Sequence, residues 1–399
     1  MEQKQRRTKI CMIADGHGLY DDRLYWKEAL SFVRAGYEVS IIVTGNHDEQ
    51  GVTDEGISYH IVKVERYFKQ KVLNFIAQKI RHKTNHKILN IARREQADIY
   101  NLHDYLQLPI VKQLKELPQR PKLVYDARIP LFDNLYHLSQ VQGLKKTLVK
   151  YHALYWQRLE YRIAKYIDVI ITVDDGVYNS FKAHSRYNRL EVVYNYTSLM
   201  KDRNFIPVEQ RAYDVIHCGG ITKARGFYML LEVGKLLAQE GKKLLLLGKI
   251  FEPELNRDFN RFVREHALED YIIRNDHVRF DRVSDFYNNS KIGLNILPYN
   301  KAHEHIIQIK LFEFMNFGIP IVTSNYGEMQ AYVRDNGVGL TVDPKDAQAV
   351  VKAVNELLND KQLYESCSRH GIAAVDNKYH WSLMEEKLLN IYEGLYTED

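Results

Sequence analysis

The run Gln308-Ile-Lys310-Leu-Phe-Glu313-Phe-Met-Asn-Phe-Gly318-Ile-Pro320-Ile-Val-Thr-Ser324 decides how this chain is read. Its apolar residues recur at helical spacing up to Gly318, and a short apolar run follows, so a helix closed by glycine feeds a buried strand. Lys310 and Glu313 fall at the beginning of that helix. A helix start exposes unpaired N–H groups and a positive dipole, which suits a diphosphate. A carboxylate one turn further in can accept hydrogen bonds from sugar hydroxyls, so the pattern is that of a nucleotide-sugar site.

Working outward, 399 residues exceed one hydrophobic core and predict two domains of roughly 200 residues each. An apolar content of 45% excludes a mostly disordered chain. Short apolar runs alternate with helical patterns, which predicts parallel sheets with right-handed crossovers. Strands are expected at Lys9–Ala14, Glu38–Val43, Ser58–Val64, Asp98–Leu102, Lys122–Tyr125, Val169–Val173 and Glu191–Val193. A second series follows at Asp214–Cys218, Lys243–Leu247, Val278–Phe280, Ile292–Ile296, Ile319–Thr323 and Gly339–Val342. Thr197–Ala212 is polar, carries Pro207 and reads as a linker, with the boundary near residue 205. The expected organisation is an α/β protein of two doubly wound domains, 1–205 and 206–377, and a terminal helix, 378–399, that packs back on the first.

Cys11, Cys218 and Cys367 lie far apart and match no metal-ligand spacing, so neither disulfide nor structural zinc is expected. The apolar run Ile10–Ala14 is too short for a signal-peptide core, and no segment approaches a membrane span. A soluble or peripherally attached cytoplasmic protein is expected. Between Arg66 and Arg94, basic residues such as Lys69, Lys79, Lys83 and Lys87 alternate with Phe75, Ile80, Ile88 and Ile91 at helical spacing. Two readings stay open, a helix resting on anionic lipid headgroups and an ordinary solvated face. The net charge of +5 is too small, and reading modules are too plainly absent, for a nucleic-acid partner.

Polar residues gather at the expected carboxyl ends of strands, where open parallel sheets bind ligands. Gly16 and Gly18 follow the first strand and would let backbone approach a phosphate or an acceptor, although they form neither a GxGxxG fingerprint nor a Walker loop. His103 and Asp104 end one strand, while Asp126 and Arg128 end the next; these would face the acceptor. Gly219-Gly220 and Arg225-Gly226 precede a helix, Phe227–Ala238, and Arg225 there can neutralise charge on a diphosphate leaving group. No Asp-x-Asp pair ends a strand, Asp174-Asp175 being the nearest, so no metal site is expected and Arg225, Lys310 and a helix dipole stand in its place.

Four stretches together resemble the family-4 retaining glycosyltransferases of the GT-B fold: Asp22 to Val39, Gly219 to Gly226, Val278 to Val283 with Tyr287, and Lys310 to Pro320. The resemblance implies two Rossmann-like domains facing a central cleft and transfer of a sugar, with retention, from a nucleoside diphosphate sugar as co-substrate. No further cofactor is implied. Arg225 and Lys310 would hold the diphosphate, N–H groups of Ile309 and Lys310 would cradle it, Gly220 would give it room, and Glu313 would bind the ribose. Where the family places another glutamate upstream, the count lands on His305, with Glu304 one position off, so Glu304 or His305 contacts the transferred sugar. Arg128 stands where the family tends to carry a histidine, and His103 would take part of that role beside Arg128, Arg225 and Lys310. Asp104 and Asp126 would bind the acceptor. A glycan or lipid-linked acceptor would give the basic, apolar faces at residues 66–94 and Leu144–Tyr166 a purpose at an anionic membrane. A nucleotide-binding subunit without turnover, and an epimerase or hydrolase acting without acceptor, are the other readings this pattern allows.

Overall fold

The computed structural model describes residues 7–64, 82–103, 105–139, 141–199, 203, 206–276, 278 and 282–396. It comprises two compact units, Met1–Asn195 with Met384–Asp399, and Tyr196–Leu383. Asp104 and residues 66–81 of the basic pattern lie outside the described residues, as do Arg279 and Phe280 of the expected strand at Val278–Phe280.

In the first unit the strands are β1 (Lys9–Ala14), β2 (Glu38–Gly45), β3 (Glu49–Val52), β4 (Ser58–Lys63), β5 (Ile99–His103), β6 (Lys122–Ala127), β7 (Val169–Thr172) and β8 (Arg189–Val192). They form one sheet in the order β3-β4-β2-β1-β5-β6-β7-β8. Ile10, Cys11, Met12, Ile13 and Ala14 of β1 are fully buried, as a parallel strand covered on both faces must be. Among the described residues of this sheet, the departure from parallel pairing is β3, which runs antiparallel to β4. Its short connection is closed by hydrogen bonds from Thr53 N–H to Ile57 O (2.9 Å) and from Gly56 N–H to Thr53 O (2.9 Å). So short a link permits a hairpin and not a crossover, and the sequence reading had no strand there because β3 is exposed and nearly without apolar residues.

The expected helix at Tyr25–Ala35 begins earlier, as a π-helix over Asp22–Ala29 that runs into Leu30–Arg34. Asp21 caps it by accepting from the Leu24 N–H at 2.9 Å. Asp174 serves likewise as a cap, accepting from Val177 N–H at 2.7 Å at the start of the helix Asp175–His184. The terminal helix Trp381–Glu393 reaches the first unit from Met384 onward: Arg34 pairs with Glu385 at 2.6 Å, and the Phe32 and Tyr392 rings lie 4.4 Å apart.

The second unit contains β9 (Tyr213–Cys218), β10 (Leu244–Leu247), β11 (Ile272–Asn275), β12 (Ser290–Asn295), β13 (Ile321–Ser324) and β14 (Gly339–Val342). They pair in parallel in the order β11-β10-β9-β12-β13-β14. β11 was not expected, since only Ile272 and Ile273 mark it as a strand. The helix Ile309–Asn316 packs directly on β12, because Gly293 carries no side chain: a Cβ there would lie 2.5 Å from the Phe314 ring. Gly318 then ends the helical turn in the left-handed region (φ +60°) and releases the chain into β13. Among the described residues no helix is long and apolar enough to cross a membrane.

Candidate functional site

Both sheets reverse strand order beside their first strand, at β1/β5 and at β9/β12, and it is at the carboxyl ends of such neighbours that ligand crevices open. In the second unit β9 ends at Cys218 and passes into Gly219-Gly220. Gly220 has no space for a side chain, because a Cβ would meet the Phe251 ring at 2.6 Å. Thr222 then caps a short turn, Lys223–Arg225, by accepting from the Arg225 N–H at 3.2 Å. The exposed Arg225 guanidinium reaches the Gly220 carbonyl at 3.4 Å.

Lys310 and Glu313 enter the same neighbourhood from the helix Ile309–Asn316, and both are buried. The buried Tyr287 hydroxyl donates to Glu313 Oε2 at 2.6 Å and so fixes the carboxylate. Burial pushes the Lys310 ammonium down to about 7; the Arg225 charge adds to the fall, while Cys218 and Glu313 oppose it. Burial likewise pushes the Cys218 thiol up to about 12, with the Glu313 charge adding to the rise. Among the described residues neither Arg225 nor Lys310 forms a salt bridge. Gln308, at the head of the helix, makes no side-chain cap, so the first turn at Ile309 and Lys310 keeps donors for a ligand. Two cations without a carboxylate partner among the described residues, one of them desolvated, thus lie beside an uncapped helix start.

Glu304 and His305 lie in the loop before that helix. Glu304 accepts from the Tyr299 hydroxyl at 2.6 Å, and its carbonyl accepts from the Glu328 N–H at 2.8 Å. The His305 ring is half exposed and lies 3.8 Å from Glu328.

The first unit gathers charge differently. Ala14 pairs with His103, and His103 with Asp126, across the strand ends of β1, β5 and β6. His103 and Asp126 are nonetheless fully buried. The Arg23 Nε lies 2.8 Å from both Glu28 Oε1 and Asp126 Oδ2, while His103 sits 3.4 Å from Glu28 and 3.7 Å from Asp126. Burial pushes the His103 imidazole down to about 3, so it is neutral. Burial and the Asp126 charge push Glu28 well above the usual carboxylate range; against its own burial, Asp126 is held low by Arg23. Glu28, His103 and Asp126 bring ligand-type atoms within 4.8 Å of one another, but Arg23 already supplies the positive charge among them. Over His103, expected as a catalytic group, and Asp126, expected to contact an acceptor, the π-helix lays Arg23 and Glu28, and neither side chain meets solvent.

Arg128 is placed outside that cluster. It lies 3.3 Å from the His17 ring and 3.1 Å from Asp21, and His17 Nδ1 is 2.9 Å from Asp21. Hydrogen bonding from His17 and the Arg128 charge hold Asp21 well below the usual range despite its burial. Gly16 (φ +82°) makes the turn that brings His17 there, and it and Gly18 have open space where a side chain would stand. His17 was overlooked in the sequence, although it stands between the two glycines that were singled out. The structure thus joins Gly220, Arg225, Ile309, Lys310 and Glu313 in one unit, and Gly16, His103, Asp126 and Arg128 in the other.

Residues 212–360 match the family model described as glycosyl transferases group 1. Arg225, Lys310, Glu313, Glu304 and His305 all fall within the group 1 stretch. The chain is 25% identical over 217 residues to the capsular polysaccharide biosynthesis glycosyltransferase CapM of Staphylococcus aureus, covering 53% of this chain and 51% of that protein. It is 20% identical over 189 residues to the putative glycosyltransferase YtcC of Bacillus subtilis, covering 46% of each. The matches therefore span about half the length of these relatives. Across 98% of this chain and all of the other, the fold is that of a sucrose-phosphate synthase from Thermosynechococcus elongatus (TM-score 0.74, 15% identity). HepE of Anabaena, solved with UDP and glucose, is similar over 97% of this chain and all of its own (TM-score 0.71, 13% identity). The fold is GT-B, two parallel-sheet α/β units, as the sequence led one to expect.

Proposed function

We propose that this protein is a retaining glycosyltransferase that moves a sugar from a nucleoside diphosphate sugar to a glycan or lipid-linked acceptor in cell-surface polysaccharide or glycolipid assembly. The observation that carries the reading is the pair Arg225 and Lys310, both without a salt bridge among the described residues, beside the Tyr287-fixed Glu313. UDP and glucose in the HepE structure and the capsular role in CapM's name support the substrate class.

In this reading the second unit takes the donor and the first the acceptor. The bond between the anomeric carbon and the diphosphate oxygen breaks, an acceptor hydroxyl oxygen bonds to that carbon on the same face and gives its proton to the departing diphosphate, and negative charge develops on that diphosphate as it leaves. Arg225, Lys310 and the N–H groups of the first helical turn meet that charge where it forms. Buried Lys310 is the stronger contributor, since its charge is screened least by water. Glu313, aimed by Tyr287, accepts from the ribose hydroxyls, while Glu304 or His305 reaches the transferred sugar. Arg128 and His17 stand on the acceptor side, where His17, held against Asp21, supplies the imidazole missing at position 128. The two cations carry the charge stabilisation, so no divalent ion is required, and the substrate class belongs to the cytoplasm.

A thermal-shift panel of UDP, GDP, ADP and their sugars identifies the donor, followed by turnover with and without chelator. Arg225→Ala and Glu313→Ala should abolish transfer and nucleotide-dependent stabilisation while the far-UV spectrum is kept. Full turnover in both variants refutes the assignment. Stabilisation by nucleotide with no turnover on any acceptor would instead identify a binding subunit.

A further inference from the structure

Past its glycine turn the first unit carries an open aromatic surface. The Asp21 N–H donates to Gly18 O at 3.1 Å, so Leu19 and Tyr20 are the two central residues of a tight turn beyond the carboxyl end of β1. Tyr20 is 58% exposed there. Its ring meets that of Tyr25, buried on the π-helix, edge to face at 4.8 Å and 71°. Trp26, partly exposed, meets Tyr25 in the same way at 5.3 Å and 76°. The Tyr20 and Trp26 rings lie 6.3 Å apart with their planes 33° from parallel, so two outer rings share one broken surface over a buried third.

The buried ring is fixed by its polar end. The Tyr25 hydroxyl donates to Glu55 Oε2, in the connection between β3 and β4. Glu55 and its neighbour Asp54 are exposed, and Thr53–Ile57 contains no basic residue. The surface is therefore aromatic with an acidic rim. That combination selects its occupant. A nucleotide or a lipid phosphate would bring negative charge to two carboxylates, and an acyl chain would cover the rings while leaving the carboxylates without partners. A pyranose meets both demands. Its C–H face, made slightly positive by the ring oxygens, packs on the negative face of an aromatic ring, and its hydroxyls donate to carboxylate oxygens.

We propose that Tyr20 and Trp26 are the platform on which a neutral pyranose of the acceptor packs, with Glu55 accepting from its hydroxyls. The turn that presents Tyr20 ends at Asp21, which lies 3.1 Å from Arg128 and 2.9 Å from His17, so the platform adjoins the groups assigned to the acceptor side. That the sugar is the acceptor of transfer rests on the transferase reading; that a pyranose binds here does not.

The test is saturation-transfer NMR on the full chain, without nucleotide, using methyl glucoside, methyl galactoside and N-acetylglucosamine, with glucuronic acid as the anionic control. Ring C–H protons of at least one neutral sugar should receive saturation, and those of glucuronic acid should receive less. Fluorescence gives a second readout: Trp156 and Trp381 are 2% and 4% exposed, which leaves Trp26 as the tryptophan that a surface ligand reaches. Tyr20→Ala should weaken sugar binding by about tenfold, and Tyr20→Phe should retain it, because the ring and not the hydroxyl makes the contact. Thermal melts of both should match the parent, since Tyr20 is exposed, and stabilisation by UDP should be unchanged in both. No signal from any neutral sugar, glucuronic acid binding as well as the neutral sugars, or parental binding by Tyr20→Ala overturns the proposal. Sugar binding that Tyr20→Ala loses, in a protein that no nucleotide stabilises, leaves the platform standing and removes the transferase reading instead.

Discussion

In the first unit Arg23 lies 2.8 Å from Glu28 and 2.8 Å from Asp126, and the buried Lys27 is closed onto Asp22 at 2.6 Å and Asn195 at 2.9 Å. In the second unit Lys310 is also buried, yet no carboxylate pairs with it among the described residues. Desolvating a charge is costly in either place. The first unit offsets part of that cost with ion pairs inside the fold, although Glu28 Oε1 and Asp126 Oδ1 accept no hydrogen bond, and such a cluster holds strand ends together. The second leaves it unmet until an anion arrives. The first cluster is ion-paired within the fold, whereas the second presents cations that no described carboxylate pairs. The distinction could not be drawn from residue types, because both regions bring two basic residues near one or more acids.

The most severe way to break this contrast is to remove the centre of the saturated cluster. Arg23→Leu leaves two buried carboxylates without their cation and should cost about 3–5 kcal/mol in urea unfolding. A loss below about 1 kcal/mol would mean that Glu28 and Asp126 are content without Arg23, and that the cluster is not what holds the ends of β5 and β6.

Lys310→Met should act in the opposite direction on stability. It removes a desolvated ammonium and fills the same volume, so the free protein should gain about 1–3 kcal/mol, while affinity for a nucleoside diphosphate falls by about a hundredfold. Calorimetric titration and a urea melt on the same preparation read both quantities. Lost stability with unchanged affinity would erase the difference between the two regions. A smaller effect tests the carboxylate: Tyr287→Phe removes the hydrogen bond that orients Glu313 and should weaken nucleotide binding by about tenfold. Adenine, guanine and uracil nucleotides should suffer alike, because the bond acts on the sugar side.

Why one region was legible and the other was not follows from spacing. Lys310 and Glu313 sit on an ordinary helix whose apolar residues and terminal Gly318 announce it, so its burial and the strand after it could be read in order. Arg23 and Glu28 sit on a π-helix, where neighbours along the face are five residues apart, and a reading tuned to three and four sees two unrelated surface charges. With that pairing unseen, His103 and Asp126 looked like open strand-end groups when they are covered. Strands with apolar runs, such as β1 and β14, were placed to the residue, whereas β3 escaped because an exposed hairpin edge carries no alternation. His17 escaped because its role depends on Arg128, distant in sequence and adjacent only across the sheet.

The finest test uses pH, because the two regions should respond differently to it. Lys310 falls from an ordinary value of 10.5 to about 7 in the free protein, so near neutrality it is half protonated. A bound diphosphate requires the charged form, so binding takes up a proton, and affinity should fall about fivefold from pH 7 to pH 8. Calorimetry in buffers of different ionisation enthalpy should show that uptake, and Lys310→Met should abolish it. The same shift has a consequence without ligand: from about 7 to 10.5 the unfolded chain binds the proton that the folded chain has released, so this group makes stability rise with pH over that window. Asp21, held low by His17 and Arg128, has the same sign in a more acidic window: it contributes stability that is fully present above its unfolded value of 3.8 and is lost as acid protonates it. Flat affinity between pH 7 and 8 would show that Lys310 is already charged before ligand arrives, and would move the second region toward the saturated kind.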